Sequence, residues 1–186
     1  YQTLSREASA NEFPPQNPSD TATVAALLCY LELHQVLERL RGMFALALFH
    51  KPTQTVHLIR DRLGVKPLYW SIQNQQLSWG SEIAALASNP ICPVSATQLL
   101  MFEYIPAPNT IYQNIFKLLP GEHLCYSKKG RTQKIWWNPP EISSDRDRDL
   151  VPWRKAFQFA LHSALQIRIP SDLPTVIQLS GGLDSS

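Results

Sequence analysis

Apolar residues in this chain recur at two different periods, and the change between them divides the first half. Residues 1–10 read as the end of a helix, and residues 11–19, with three prolines, as a loop. Val24, Leu27, Leu28 and Leu31 lie at helical spacing, which predicts one helix over 22–40, with Ser19-Asp20-Thr21 offering capping residues. Residues 40–49 are almost continuously apolar, the signature of a strand buried on both faces. A second strand is predicted over 55–60, then a turn in which Gly64 suits positive φ. Residues 67–72 and 76–80 form a hairpin around Gln73-Asn74-Gln75. Four close-set strands predict a meandering antiparallel sheet.

Further on, a short helix is expected over 82–87, closed by Pro90, and a longer one over 95–104, with Ser95 as cap and Leu99, Leu100 and Phe102 as its apolar positions. Residues 104–112 form a proline-bounded extended segment. Residues 118–126 hold a Pro-Gly turn and a strand, and a turn at 127–130 leads into a strand over 132–137. The tract 138–150 carries Pro139, Pro140 and the alternating Asp145-Arg146-Asp147-Arg148-Asp149, which stays solvated and reads as a linker. The helix predicted over 151–167 places Phe157, Ala160, Leu161, Ala164 and Leu165 on one side, a core stripe.

Val176-Ile177-Gln178-Leu179 follows Pro174 without alternation, so it is expected as a buried parallel strand. Ser180-Gly181-Gly182-Leu183-Asp184-Ser185-Ser186 comes next. Paired glycines open backbone angles closed to other residues and let N–H groups converge on an anion. Hydroxyls of Ser180, Ser185 and Ser186 add donors, and Asp184 can hold a cation. Strand, glycine turn and helix start make a phosphate-binding layout, distinct from the lysine-bearing P-loop.

Bulk properties narrow the class. The 186 residues suffice for one domain or parts of two, and 44% hydrophobic content suffices for a core. A net charge of +2 gives no footprint for nucleic acid or a membrane surface. Cys29, Cys92 and Cys125 are odd in number and widely spaced, which fits a reduced, cytoplasmic setting better than disulfides or a metal centre. The chain opens on Tyr1 and closes on a loop leading toward a helix, and so it is read as a fragment.

These strings together resemble one family. The seven residues 180–186 are similar to the pyrophosphate-binding loop of ATP pyrophosphatases. Residues 39–45 (RLRGMFA), 60–69 (RDRLGVKPLY) and Ser81-Glu82-Ile83 resemble the glutaminase domain of glutamine-hydrolysing asparagine synthetases. So do the Pro-Ala-Pro-x-Thr-Ile stretch, the Leu-Pro-Gly-x-His stretch and the tryptophan pair before a proline. The implied fold is an α+β glutaminase-type antiparallel sandwich, N-terminal nucleophile hydrolase-like and incomplete, over 1–137. A linker over 138–150 and the start of an α/β ATP-pyrophosphatase domain over 151–186 follow.

The function implied is ATP-dependent amidation of aspartate through an aspartyl-adenylate, using ammonia freed from glutamine, with ATP and Mg2+ required. By the resemblance Asp20 contacts glutamine, Gln178, Leu179, Ser180, Gly181, Gly182, Leu183, Asp184, Ser185 and Ser186 bind ATP, and Asp184 serves the metal. Partners are then small molecules, with room for a homodimer. The family's nucleophile is an N-terminal cysteine, which this sequence lacks. Cys29, expected mid-helix without a base, does not replace it, so the piece alone is expected to be inactive. Arg60, Asp61, Arg62 and Lys66 are expected as a solvated charged turn with structural ion pairs, and His123 as a structural histidine on a turn. Relatives that close β-lactam or peptide rings, or amidate other carboxylates, share these motifs, and a non-catalytic gene remnant is the third reading.

Overall fold

The computed structural model describes residues 2–17, 19–86, 89–141, 150–169 and 174–183. They fall into two compact units, Tyr1–Asn138 and Pro139–Ser186.

The first unit opens with three helices: α1 (Gln2–Ala10), α2 (Asp20–Leu27) and α3 (Leu33–Arg39). Ser19 caps α2, its hydroxyl accepting from the Ala22 N–H at 3.1 Å. The single helix expected over 22–40 is two. After Leu27 the N–H groups of Cys29 and Tyr30 fall back on the carbonyls of Ala26 and Leu27, three residues earlier, which tightens and ends the helix. Glu32 then opens a new helix, its N–H donating to the Gln35 side chain at 3.0 Å. Cys29 therefore sits in a turn, not mid-helix.

Seven strands follow: β1 (Ala45–His50), β2 (Thr55–Arg60), β3 (Tyr69–Gln73), β4 (Gln76–Gly80), β5 (Phe116–Lys117), β6 (Glu122–Ser127) and β7 (Gly130–Ile135). They build two antiparallel sheets, ordered β1-β2-β6-β7 and β4-β3-β5. The expected four-strand meander is thus divided: the turn after β2 carries the chain out of the first sheet, and β3 and β4 begin the second. Asn74 and Gln75, both at positive φ, close the β3–β4 hairpin as a two-residue turn. β1 is an edge strand with Phe49 exposed, so it is not buried on both faces. Only its Leu46 and Leu48 side packs under the helices.

Strand alternation sorts β2 between two cores. Ile59 joins Leu27, Val36, Leu37 and Leu40 beneath the helix layer. Its neighbour Leu58 points the other way and meets Leu68, Trp70, Leu118 and Leu124 between the sheets. Each such leucine, removed from water, contributes about 1.5–3 kcal/mol.

α4 (Pro93–Phe102) begins with proline in its first turn, and Cys92, not Ser95, holds the cap position. Ser95 is instead the buried residue of this helix, while Leu99, Leu100 and Phe102 are exposed. The segment Ile83–Ala85 is a single 3-10 turn.

The second unit contains α5 (Leu150–Arg168). Its expected core stripe is largely uncovered among the described residues: Phe157, Ala160, Leu161 and Leu165 are exposed and Ala164 is half-buried. Val176, Ile177 and Leu179 are likewise exposed and form no strand. A strand exists by pairing its backbone groups, and among the described residues this unit has no second strand to pair with.

Candidate functional site

The residues expected to bind glutamine and ATP lie in different units. Asp20 is the first residue of α2 and is exposed, with the capping role taken by Ser19 beside it. In the second unit Gly181 adopts φ +75°, a left-handed angle that suits glycine. The Gly182 N–H turns back toward the Ser180 hydroxyl at 3.4 Å. Gln178, Leu179 and Leu183 flank this turn, exposed. Asp184, Ser185 and Ser186 lie outside the described residues. The described donors are a hydroxyl and glycine N–H groups on an open left-handed turn, a donor set that fits anionic oxygen.

The turn after β2 is built differently from the solvated, ion-paired turn expected of it. Asp61 is 1% exposed. Its carboxylate accepts from the N–H groups of Val65 and Lys66 at 2.9 Å, of Leu63 at 3.2 Å and of Phe44 at 3.3 Å. Arg60 donates to three carbonyls, those of Gly64 and Leu118 at 2.6 Å and of Lys66 at 2.8 Å. Arg62 donates to the Glu38 carbonyl at 3.0 Å and lies over the rings of Trp136 and Trp137. The charges of this turn thus organise main chain, a structural role. Among the described residues the ion pair is Arg39 with Glu7 at 3.3 Å, elsewhere in the unit. Gly64 has φ +65°, as its place in the turn requires.

His123 lies on β6, buried, rather than on a turn. Its Nε2 shares a hydrogen bond with Nδ1 of His57 on β2 at 2.9 Å. Burial, then the neighbouring His57 and Lys134, push the His123 pKa down to about 4. Burial, then His50 and Lys134, lower that of His57. Sequence reasoning missed this pair because the partners are 66 residues apart and meet only through the β2–β6 register.

The three cysteines do not assemble a nucleophile with a base. Cys29 donates its thiol to the Ala25 carbonyl at 3.4 Å. Cys92 lies at the start of α4, where the N–H and hydroxyl of Ser95 hold its thiol below the ordinary range. Cys125 stands opposite His57 in the ladder, but the His57 Nδ1 is engaged with His123. Among the described residues no group of histidines, cysteines and carboxylates could hold a metal ion. No described helix is long and apolar enough to cross a membrane.

The first unit thus has two antiparallel sheets, with the helices packed over one of them. The solved structure of glutamine phosphoribosylpyrophosphate amidotransferase from B. subtilis, complexed with ADP and GMP, superposes with a TM-score of 0.54 over 76% of this chain and 28% of that one. At 17% identity this likeness speaks to the fold alone. Residues 1–137 match the family described as glutamine amidotransferase domain, and the chain belongs to that family.

Its relatives are more particular. Asparagine synthetase [glutamine-hydrolyzing] 1 of Bacillus subtilis (strain 168) is 30% identical over 100% of this chain and 30% of its own length. Asparagine synthetase [glutamine-hydrolyzing] 3 of the same organism is 31% identical over 98% of this chain and 30% of its own. The amidase chyE of Penicillium rubens is 30% identical over 97% of this chain and 27% of its own. The chain therefore spans about 30% of the length of these relatives.

Proposed function

We propose that this chain is part of an ATP-dependent, glutamine-hydrolysing asparagine synthetase. In this reading residues 1–137 belong to the half that frees ammonia from glutamine, and residues 151–186 open the half that activates aspartate with ATP. One observation carries it. Likeness to the asparagine synthetases does not end with the amidotransferase domain at residue 137 but runs over 100% of the chain. The added stretch holds the helix and the serine-glycine loop that a nucleotide-activating half needs.

Asp20 then contacts glutamine from the exposed start of α2. Ser180, Gly181 and Gly182 hold phosphate oxygens, flanked by Gln178, Leu179 and Leu183, with Ser185 and Ser186 adding hydroxyls. Asp184 holds Mg2+, which offsets the phosphate charge. ATP supplies the pyrophosphate leaving group. A second reading, an enzyme that amidates another carboxylate or closes a ring, draws on the match to the fungal amidase. The protein works in the cytoplasm in either case, and a homodimer is compatible with both.

The test is ATP–pyrophosphate exchange by the whole enzyme carrying this stretch, with aspartate as acceptor. Gly182→Val and Asp184→Asn are expected to lower exchange. Loss of one charge-assisted donor costs about 1.5–3 kcal/mol, which is roughly 10- to 150-fold. Undiminished exchange in both variants removes the loop from the reaction. Exchange that needs a different carboxylate favours the second reading.

A further inference from the structure

We propose that His57 and His123 form a two-proton lock that fastens β2 to β6 under the helix layer and opens when both rings are protonated. The lock rests on geometry. The two nitrogens are 2.9 Å apart, the ring centroids 5.1 Å, and His123 is 6% exposed. With both rings neutral, one nitrogen donates and the other accepts. A first proton does not break this bond, because an imidazolium still donates to the neutral ring. A second proton leaves two N–H groups facing each other with no acceptor and two positive charges in contact. The bond must then break, and the strands it joins must part locally or admit water.

The order of protonation follows from position. His57 is half-buried and takes the first proton, and His123, deeper in the sheet, takes the second. Every charge acting on the pair opposes that second step. Lys134 on β7 faces His123 directly across the ladder, and His50, at the end of β1, acts on His57. Cys125 stands opposite His57, and the helix layer packs leucines and the Tyr30 phenol on this face of the sheet. None of these groups is a carboxylate. The lowered pKa values agree with the geometry: His123 at about 4 and His57 below 6.5. The sign follows. Both folded pKa values lie below those of the unfolded chain, so the lock's stability is present above about pH 6.5 and is lost as pH falls toward about 4.

The experiment is a histidine-selective NMR titration of the 186-residue chain, paired with urea unfolding across the same pH range. Two rings titrating in sequence, the later near pH 4, are expected, with a slowly exchanging imidazole N–H that disappears at the second step. Unfolding should ease between about pH 6.5 and 4 in the native chain, and less so in the His57→Leu/His123→Leu double variant, which keeps the volume without the protons. The idea is overturned if both rings titrate together near 6.5, or if the double variant follows the native acid profile. If the double variant does not fold, the native titration decides alone.

Discussion

The N–H of Gly121 donates to the carbonyl of Asp61 at 2.9 Å, joining the turn after β2 to the turn before β6. The two residues are the hinge pins of the first unit. Asp61 gathers the N–H groups of its own loop and of Phe44 onto its carboxylate. Gly121 in turn accepts through its carbonyl from the N–H of Trp136 at 2.8 Å, which ties in the end of β7. Three stretches distant in sequence thus meet on two residues, and the strands on either side are aimed by that meeting.

Gly121 tolerates no side chain. Its φ is +62°, and a Cβ there would collide with the Trp137 carbonyl. The left-handed angle alone costs an alanine about 1–2 kcal/mol, and the collision with backbone adds to it. Gly121→Ala is expected to fall in the severe range of point mutants, above about 3 kcal/mol. Gly130→Ala is the control: its φ is also positive, at +118°, but nothing lies within 4 Å of the added Cβ. Urea unfolding should show Gly121→Ala losing clearly more than Gly130→Ala. Equal losses would mean that the collision relaxes.

Asp61→Asn tests the other pin. The carboxylate accepts four N–H groups while 1% exposed, and an amide in its place turns an NH2 toward some of those donors. Each buried donor left unpaired costs about 1–3 kcal/mol. With the two on one oxygen so exposed, the loss should reach about 2–6 kcal/mol, and Asp61→Ala, which removes the acceptor of all four, should lose more. Asn retaining near-native urea stability would show that the carboxylate's charge is not what holds the turn.

Much of this architecture is legible in local pattern. The helix α5, the β3–β4 hairpin and the left-handed Gly64 follow from periodicity and turn chemistry that act over a few residues, whereas the break between α2 and α3 does not show in the spacing. What escaped the sequence depends on distant partners. Arg60 and Asp61 read as a solvated turn because charge usually seeks water, and only the fold supplies the carbonyls and N–H groups that replace it. The apolar stripe of α5 and the run Val176 to Leu179 carry core patterns, yet they are exposed here. A pattern states what a segment can bury, and its own unit has no second strand or helix among the described residues to bury it. In the loop after Gln178 the left-handed angle of Gly181 follows from residue type alone, because a glycine angle is a local property.

Cleavage should begin between the units. The boundary falls between Asn138 and Pro139, and the following sequence alternates acidic and basic residues that favour water over burial. Limited trypsin treatment is expected to cut first at Arg146 or Arg148 and leave a fragment close to residues 1–138 intact. Earlier cutting at Arg60 or Arg62 would show that the Asp61 turn is less firmly held than its hydrogen bonds require.

The 186-residue chain itself should release no ammonia from glutamine at an enzymatic rate. Hydrolysis of an amide needs a nucleophile whose proton has somewhere to go, and a base within reach to take it. Cys29 is exposed but gives its thiol hydrogen to the Ala25 carbonyl, which cannot serve as a base. Cys92 has its thiolate favoured by the Ser95 N–H and hydroxyl. Yet what surrounds it are donors, which stabilise a thiolate without activating a leaving group. Cys125 has a histidine across the ladder, but that ring is bonded through Nδ1 to His123 and both sit on a sheet face packed by helices. An ammonia assay with glutamine on the native chain, and on Cys29→Ala, Cys92→Ala and Cys125→Ala, separates these cases. The expected result is background release in all four. Turnover in the native chain, abolished by one of the three substitutions, would identify a nucleophile that this geometry does not explain. Alkylation offers an independent reading of the same chemistry: at neutral pH iodoacetamide should label Cys92 in the native chain faster than in Ser95→Ala, which removes a hydroxyl that favours the Cys92 thiolate.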